Sequence, residues 1–368
     1  MSVDIGIIGL AKSGRTTVFN ALTRGEADTA RYTQEGSAPH IGVVKVPEPR
    51  LKVLDSMLHP KKVVPASATY IDIGASVKGL VKDKGIGGQL LAQLSTVDAL
   101  INVVRAFKDE SILHIDGSLD IERDIANMDL ELTFSDLVLL ERRLERIEIS
   151  LKGAKQPERL GLLQEQELLM KIKSDLEKDV PVRELALTIE EARTIASYQF
   201  LTAKPLMVVV NIGEDQLPQA ASLETGLDSR YSRPKCRLIT ACGRLEMELA
   251  QLDDSAAGEL RAEFGVSESG ADRIIKLSYE LLGLISFFTT ASAEVKVWSI
   301  PSGTDAVKAA GKIHSDMERG FIRAEVISYD DLVKCGSLPE ARKKGLLRLE
   351  GKNYVVQDGD VITFLFNV

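Results

Sequence analysis

The residues Gly9-Leu10-Ala11-Lys12-Ser13-Gly14-Arg15-Thr16-Thr17 have the types and spacing to grip a triphosphate. Two glycines five positions apart let a strand turn sharply into a helix, so that successive backbone N–H groups and the helix N-terminus face bridging phosphates. Lys12, Ser13, Gly14, Arg15, Thr16 and Thr17 are the candidate phosphate-binding residues, and the Thr16 hydroxyl is the candidate ligand for a magnesium ion. One position departs from the usual pattern, because Arg15 stands where such a loop carries lysine. A planar fork in place of a compact ammonium is not a conservative exchange at a phosphate site. Nucleotide binding is expected to weaken, and catalysis more so.

The elements that must position this loop are readable around it. Val3 to Ile8 is an apolar strand and Thr16 to Leu22 opens a helix, which is the strand-loop-helix context the chemistry needs. Arg24 to His40 is polar and rich in Gly, Ser and Thr, and reads as a mobile loop. Further strands are expected at 41–46, 68–73, 99–104, 205–211 and 236–239. Apolar strands alternating with helical segments imply an α/β fold with a parallel sheet covered by helices on both faces. The 68–73 strand ends at Asp72, placed to order a magnesium shell through water. Asn211-Ile212-Gly213-Glu214 ends another strand where a base would be read, so Asn211, Ile212, Glu214, Thr240 and Ala241 are the base-binding candidates. A guanine-specific site wants Asn-Lys-x-Asp, whose Asp accepts two hydrogen bonds from guanine. Ile212 removes the lysine and Glu214 is one methylene longer, so a relaxed or ATP-preferring pocket is expected, with ATP or GTP as ligand and Mg2+ as cofactor. A dinucleotide-binding Rossmann domain is a third, less favoured reading, because it wants G-x-G-x-x-G and Gly6-Ile7-Ile8-Gly9-Leu10-Ala11 has the wrong spacing.

Composition bounds the remaining possibilities. The 368 residues are 44% hydrophobic and 27% charged, which suits two or three domains with sizeable cores rather than disorder or a membrane protein. No signal-like segment follows Met1, so a cytoplasmic protein with no membrane partner is expected. Cys236, Cys242 and Cys335, with four scattered histidines, show neither a disulfide framework nor zinc-ligand spacing. A net charge of −8 repels nucleic acid in general, so no DNA partner is expected and any RNA contact needs a local basic patch.

Two segments stand apart from the sheet pattern. Leu137, Leu140, Leu144, Ile147 and Leu151 recur at spacings of three and four, and Leu162, Leu169, Ile172 and Leu176 continue after Gly153-Ala154-Lys155-Gln156-Pro157. This predicts an inserted antiparallel coiled-coil hairpin, whose charged residues form either a solvated surface or an arm for a large partner. Near the end, the alternating 295–300, a helix over 305–313 and a strand-rich 354–364 predict a small β-grasp module. The expected organisation is a P-loop domain over 1–130 and 187–280, the hairpin over 131–186 and the β-grasp domain over 281–368.

Taken together, these motifs resemble the YchF family of Obg-related P-loop ATPases, over nearly the whole chain. Thr17 to Thr23 looks like the family's loop helix, Phe107 to Ser118 like its next segment, and Asn-x-x-Glu is itself a family mark. Residues 311–326 and 349–360 look like its C-terminal TGS domain, a β-grasp fold. The resemblance implies a slow ATPase, a monomer, associated with the ribosome through ribosomal RNA or protein. It also implies a catalytic role for His114, against which stands the ordinary structural reading of a lone histidine ending an apolar run.

The departures from the family cluster at the γ-phosphate. The motif Asp72-Ile73-Gly74-Ala75 has lost its final glycine, Ser76 replaces a hydrophobic residue, and Gly36-Ser37-Ala38-Pro39-His40 lacks a metal-sensing threonine. With Arg15, these changes leave two readings: a slow NTPase, or a pseudo-NTPase scaffold that presents its arm and β-grasp domain without effective hydrolysis.

Overall fold

The computed structural model describes residues 3–25, 39–73, 88–112, 114, 117–231, 233–290 and 294–367. In chain order the elements are β1 (Val3–Ile8), α1 (Arg15–Thr23), β2 (His40–Lys45), α2 (Pro49–Leu58), β3 (Lys62–Val64), β4 (Ser67–Asp72), α3 (Gly88–Thr96) and β5 (Ala99–Arg105). Then follow α4 (Ile121–Leu151), α5 (Glu158–Leu176), β6 (Leu206–Asn211), β7 (Cys236–Ala241), β8 (Leu284–Thr289) and β9 (Glu294–Pro301). The last strands are β10 (Phe321–Ser328), β11 (Arg348–Glu350) and β12 (Asp360–Phe366). The chain divides into a larger unit, Asp4–Gly42 with Thr69–Ile274, and a smaller one, Met1–Val3 with Val43–Ala68 and Ile275–Val368.

The larger unit is built on a six-stranded sheet in the order β2-β4-β1-β5-β6-β7. The pairs β1–β5, β5–β6 and β6–β7 are parallel. Every residue of β5 and β6 is buried, which explains why both read as apolar runs interrupted only by Asn102 and the terminal Arg105 and Asn211: a parallel strand covered on both faces has no solvent side to mark with alternating polar residues. On one face Leu90 and Leu94 of α3 and Met128 and Leu132 of α4 pack over Ile8, Leu100 and Leu206. The expected α/β architecture is therefore present.

The hairpin is also present, with a different root. Helix α4 runs unbroken for 31 residues, so the boundary expected at 131 falls inside a continuous helix. Its first half belongs to the sheet's core through Ile125, Met128 and Leu132, and its second half pairs with α5. Asp120 caps it by accepting a hydrogen bond from the Arg123 amide, and Glu122 and Asp124 favour the positive end of its dipole. Leu140 and Ile147 meet Leu168, Leu169, Ile172 and Leu176 in the seam, flanked by Leu137, Leu144, Leu151 and Leu162, in keeping with the spacing. Arg143 spans the two helices, donating to Glu165 at 2.7 and 2.8 Å and to the Tyr198 hydroxyl at 3.0 Å. Below the hairpin Asp136 accepts hydrogen bonds from the Leu201 amide at 2.9 Å, the Thr202 amide at 2.8 Å and the Thr202 hydroxyl at 2.6 Å. Burial pushes its carboxyl up to about 6 against these bonds, which pull the other way.

The smaller unit carries a second six-stranded sheet, β11-β10-β12-β8-β9-β3. Strands β12 and β8 run parallel, with antiparallel partners on either side. The helix Ala306–Ile313 lies on it through Ala306, Ala309 and Ala310, small side chains at helical spacing that let its backbone approach Phe287 and Ile300. This is the expected β-grasp core. Unexpected from the sequence is that 43–68 belongs to this unit: β3 adds to the sheet edge by pairing with β9, Lys62 opposite Glu294 and Val64 opposite Lys296. Arg50 fastens that segment, donating to Glu48 at 2.7 Å and to Asp358 at 2.7 Å, with its guanidinium 5.4 Å from the Phe288 ring centroid. No helix among the described residues is long and apolar enough to cross a membrane.

Candidate nucleotide site

The turn from β1 into α1 is shaped by its two glycines. A Cβ on Gly9 would lie 2.6 Å from both the Ser13 hydroxyl and the Val103 carbonyl oxygen, so the loop can fold against β5 only with glycine there. Gly14 caps α1 with φ of 85°, in the left-handed region, and Lys12 shares that region at 65°. The N-cap residue, Gly14, makes no side-chain cap to α1, and no acidic residue sits in the first turn of this helix. Its N-terminal amides are therefore left for an anion, which is the chemistry read from the spacing.

Asn211 braces this loop. Its Nδ2 donates to the Ser13 carbonyl at 3.0 Å, its Oδ1 accepts from the Gly243 amide at 3.0 Å, and its carbonyl accepts from the amides of Ala106 and Phe107 at 2.8 and 3.1 Å. A Cβ on Gly14 would overlap the same side-chain amide. One residue at the end of β6 thus joins the phosphate loop, the 105–112 loop and the 241–243 loop. The other base-side candidates go to different places. Glu214 opens the turn after β6, half-exposed, 3.6 Å from Arg244. The Ile212 side chain is buried in the core with Val104, Leu227 and Leu245, and its amide bonds the Ala241 carbonyl at 3.0 Å. The Thr240 hydroxyl and amide both donate to Glu224, at 2.9 and 2.7 Å, and Glu224 in turn pairs with Arg273 at 2.6 Å. Thr240 and Ala241 are accordingly buried strand residues that hold the loop in register.

At the metal side, Asp72 is 1% exposed and both of its oxygens are engaged. Oδ1 accepts from Arg15 Nε at 2.5 Å, Oδ2 accepts from the Thr16 hydroxyl at 2.8 Å, and His40 Nδ1 lies 3.6 Å from Oδ2. Thr16 and Asp72, predicted separately to serve Mg2+, are therefore brought together. A hydroxyl and a carboxylate are hard oxygen donors of the kind Mg2+ takes, so the residues present fit the ion. Among the described residues no group of three or more His, Cys, Asp or Glu side chains forms another candidate. The altered positions Gly36, Ser37, Ala38, Ala75 and Ser76 lie outside the described residues.

His114 is held against the start of α4. Its Nε2 is 2.8 Å from the Asp124 carboxylate and both side chains are buried. Two residues not among the candidate site residues border the site. Phe107 is half-buried, with ring or Cβ atoms 3.6 Å from where a Cβ would stand on Gly14 and on Gly213. Arg105, buried, lays its guanidinium 4.5 Å from the Phe107 ring centroid and donates to the carbonyls of Phe107 and Asp109 at 3.2 and 3.3 Å. Burial draws its pKa downward. An arginine closing an otherwise apolar strand was the available signal for this clamp, since a charge at that depth needs a local reason.

A parallel sheet whose first strand turns through a glycine loop into an uncapped helix, with a carboxylate beside the helix's second residue, defines a P-loop nucleotide-binding protein of the GTPase type. Residues 4–139 match a family model described as 50S ribosome-binding GTPase, and residues 284–367 match one described as YchF-GTPase_C, protein of unknown function (DUF933). The chain is 40% identical to the Ribosome-binding ATPase YchF of Bacillus subtilis and 36% identical to that of Escherichia coli O157:H7, each alignment covering 100% of both chains. A solved structure, that of the Schizosaccharomyces pombe YchF GTPase, superposes with a TM-score of 0.85 at 32% identity, covering 99% of this chain and 98% of that one. The chain belongs to the YchF family.

Proposed function

We propose that this chain is a ribosome-associated nucleotide-binding protein of the cytoplasm that takes ATP in preference to, or alongside, GTP and hydrolyses it slowly. In this reading the amides of Lys12 to Thr17 hold the phosphates, with the side chains of Arg15 and Thr16 beside them. The base lies toward Asn211 and Glu214. Thr16 and, through water, Asp72 hold Mg2+, whose chemistry when bound is to neutralise phosphate charge. The observation that carries the proposal is the uncapped α1 behind a loop whose Ser13 carbonyl is bonded by Asn211, a preformed anion cradle braced from the base side. Ribosome association is taken from the names of the relatives, and full-length similarity supports it.

Slow turnover follows from where Arg15 points. Its Nε is spent on Asp72, so the guanidinium is not free to follow charge developing on a γ-phosphate. The same pairing favours a second reading, a pseudo-NTPase in which nucleotide binds and is not turned over. His114, paired with Asp124, is proposed as a residue that ties its own position to the start of α4 rather than one that touches the reacting atoms.

A titration with labelled ATP and GTP, followed by single-turnover hydrolysis, separates these readings. Saturable binding with measurable phosphate release supports the ATPase, binding without release supports the scaffold, and no saturation at millimolar nucleotide defeats both. Co-sedimentation with ribosomes, with and without nucleotide, tests the partner.

A further inference from the structure

The pairing of Arg15 with Asp72 carries a consequence for the metal. A carboxylate buried to 1% exposure needs a cation or strong donors nearby, and here the Thr16 hydroxyl and the Arg15 guanidinium take one oxygen each. Arg15 is itself only 12% exposed at its side chain, so the pair is screened little by solvent or salt. A lysine at this position has no nitrogen at the depth of arginine Nε, and its ammonium lies at the end of a flexible stem. Arginine can donate to a carboxylate at the end of β4 from the middle of its side chain, where lysine has only methylene groups. A divalent ion drawing on Thr16 and Asp72 would meet a fixed positive charge on the same carboxylate.

We propose that Arg15 is a built-in counter-ion for Asp72, so that Mg2+ held through Thr16 and Asp72 adds little to the affinity of this chain for a triphosphate. The proposal rests on the nucleotide-site reading above and assigns Arg15 a specificity role toward the metal. The guanidinium neutralises Asp72 in the nucleotide-free protein, so a divalent ion gains little from this carboxylate and the loop amides are left to hold the phosphates. Restoring lysine frees the carboxylate and returns the site to metal dependence.

The test uses the full chain and a fluorescent ATP analogue, titrated in excess Mg2+ and in EDTA. For the natural protein the two affinities should agree within about threefold, whereas Arg15→Lys should bind about tenfold or more tighter with Mg2+ than without. A tenfold or greater loss in EDTA for the natural protein overturns the proposal. A second measurement needs no nucleotide: thermal melting of the apo protein, Arg15→Ala, Asp72→Asn and the double variant. If Arg15 neutralises Asp72, the double variant melts clearly higher than the two single losses predict, because each single change strands the other partner. Additive melting shifts overturn the pairing. If neither the natural protein nor Arg15→Lys binds nucleotide, the proposed function fails, and the melting cycle still decides whether Arg15 serves Asp72.

Discussion

Gly14 and Asn211 lie far apart in sequence and share one small volume, so changing both should cost less than the sum of changing each. Alanine at Gly14 must hold φ near 85°, a strain of about 1–2 kcal/mol. It must also push its Cβ into the Asn211 amide, which has no room to withdraw because it bonds Ser13 and Gly243. Overpacking of this kind costs about 1–3 kcal/mol. Asn211→Ala strands the buried Ser13 carbonyl and Gly243 amide at about 1–3 kcal/mol each. In the double variant the stranded groups and the φ strain remain, while the overlap is gone. The double variant should therefore be more stable than additivity predicts by about 1–3 kcal/mol. Urea unfolding of the nucleotide-free protein, followed by far-UV circular dichroism, measures this. Additivity within about 0.5 kcal/mol would refute the shared volume and the bracing role of Asn211 with it.

Three further outcomes are expected. Asp136, held at about 6 in the folded protein against an ordinary value of 3.8, binds its proton more tightly when folded. The stabilisation from that proton is complete below the lower value and is lost as pH rises through the upper one. Relative to Asp136→Asn, the natural protein should gain about 2–3 kcal/mol between pH 7 and pH 4 in urea unfolding, and an equal gap at both pH values contradicts the shift. Gly359→Ala should destabilise the smaller unit by about 2–4 kcal/mol, read by Trp298 fluorescence, because φ there is 86° and a Cβ would press on the Arg50 nitrogen that bonds Asp358. Arg143→Ala should loosen the hairpin by about 1 kcal/mol and raise amide exchange in α5, since it removes the link from α4 to Glu165 and Tyr198; unchanged exchange would show the seam leucines suffice.

Much of this fold was readable because its signals are local. The apolar runs of β5 and β6, the heptad leucines of the hairpin and the Gly9–Gly14 spacing each report a constraint within a short window. What escaped depends on contacts between distant residues. Nothing in residues 41–64 says that Lys62–Val64 will pair with a strand more than two hundred positions later, because a three-residue edge strand has almost no periodicity to read. The root of α4 was misplaced because an amphipathic pattern does not tell one apolar partner from another. At the site, the motif positions drew attention to Asn211, Thr16 and Asp72. Their motif roles did not reveal that Asn211 acts as a brace, that Ile212 turns into the core, or that Arg15 reaches Asp72. Those facts are set by side-chain direction, which only the packed structure determines.

The unbroken course of α4 has a mechanical consequence. From Leu132, where it leaves the sheet's core, to Leu151 at the hairpin end, the helix extends about 29 Å at 1.5 Å per residue. Its base carries Asp124, tied to His114 on the segment that follows β5. A beam anchored at one end magnifies rotation: a pivot of about 10° at the base carries the far end about 5 Å, roughly the pitch of one helical turn. About the same pivot Asp124, eight residues before Leu132, moves about 2 Å, so a shift at the His114–Asp124 pair would reappear at the arm's end enlarged about 2.4-fold.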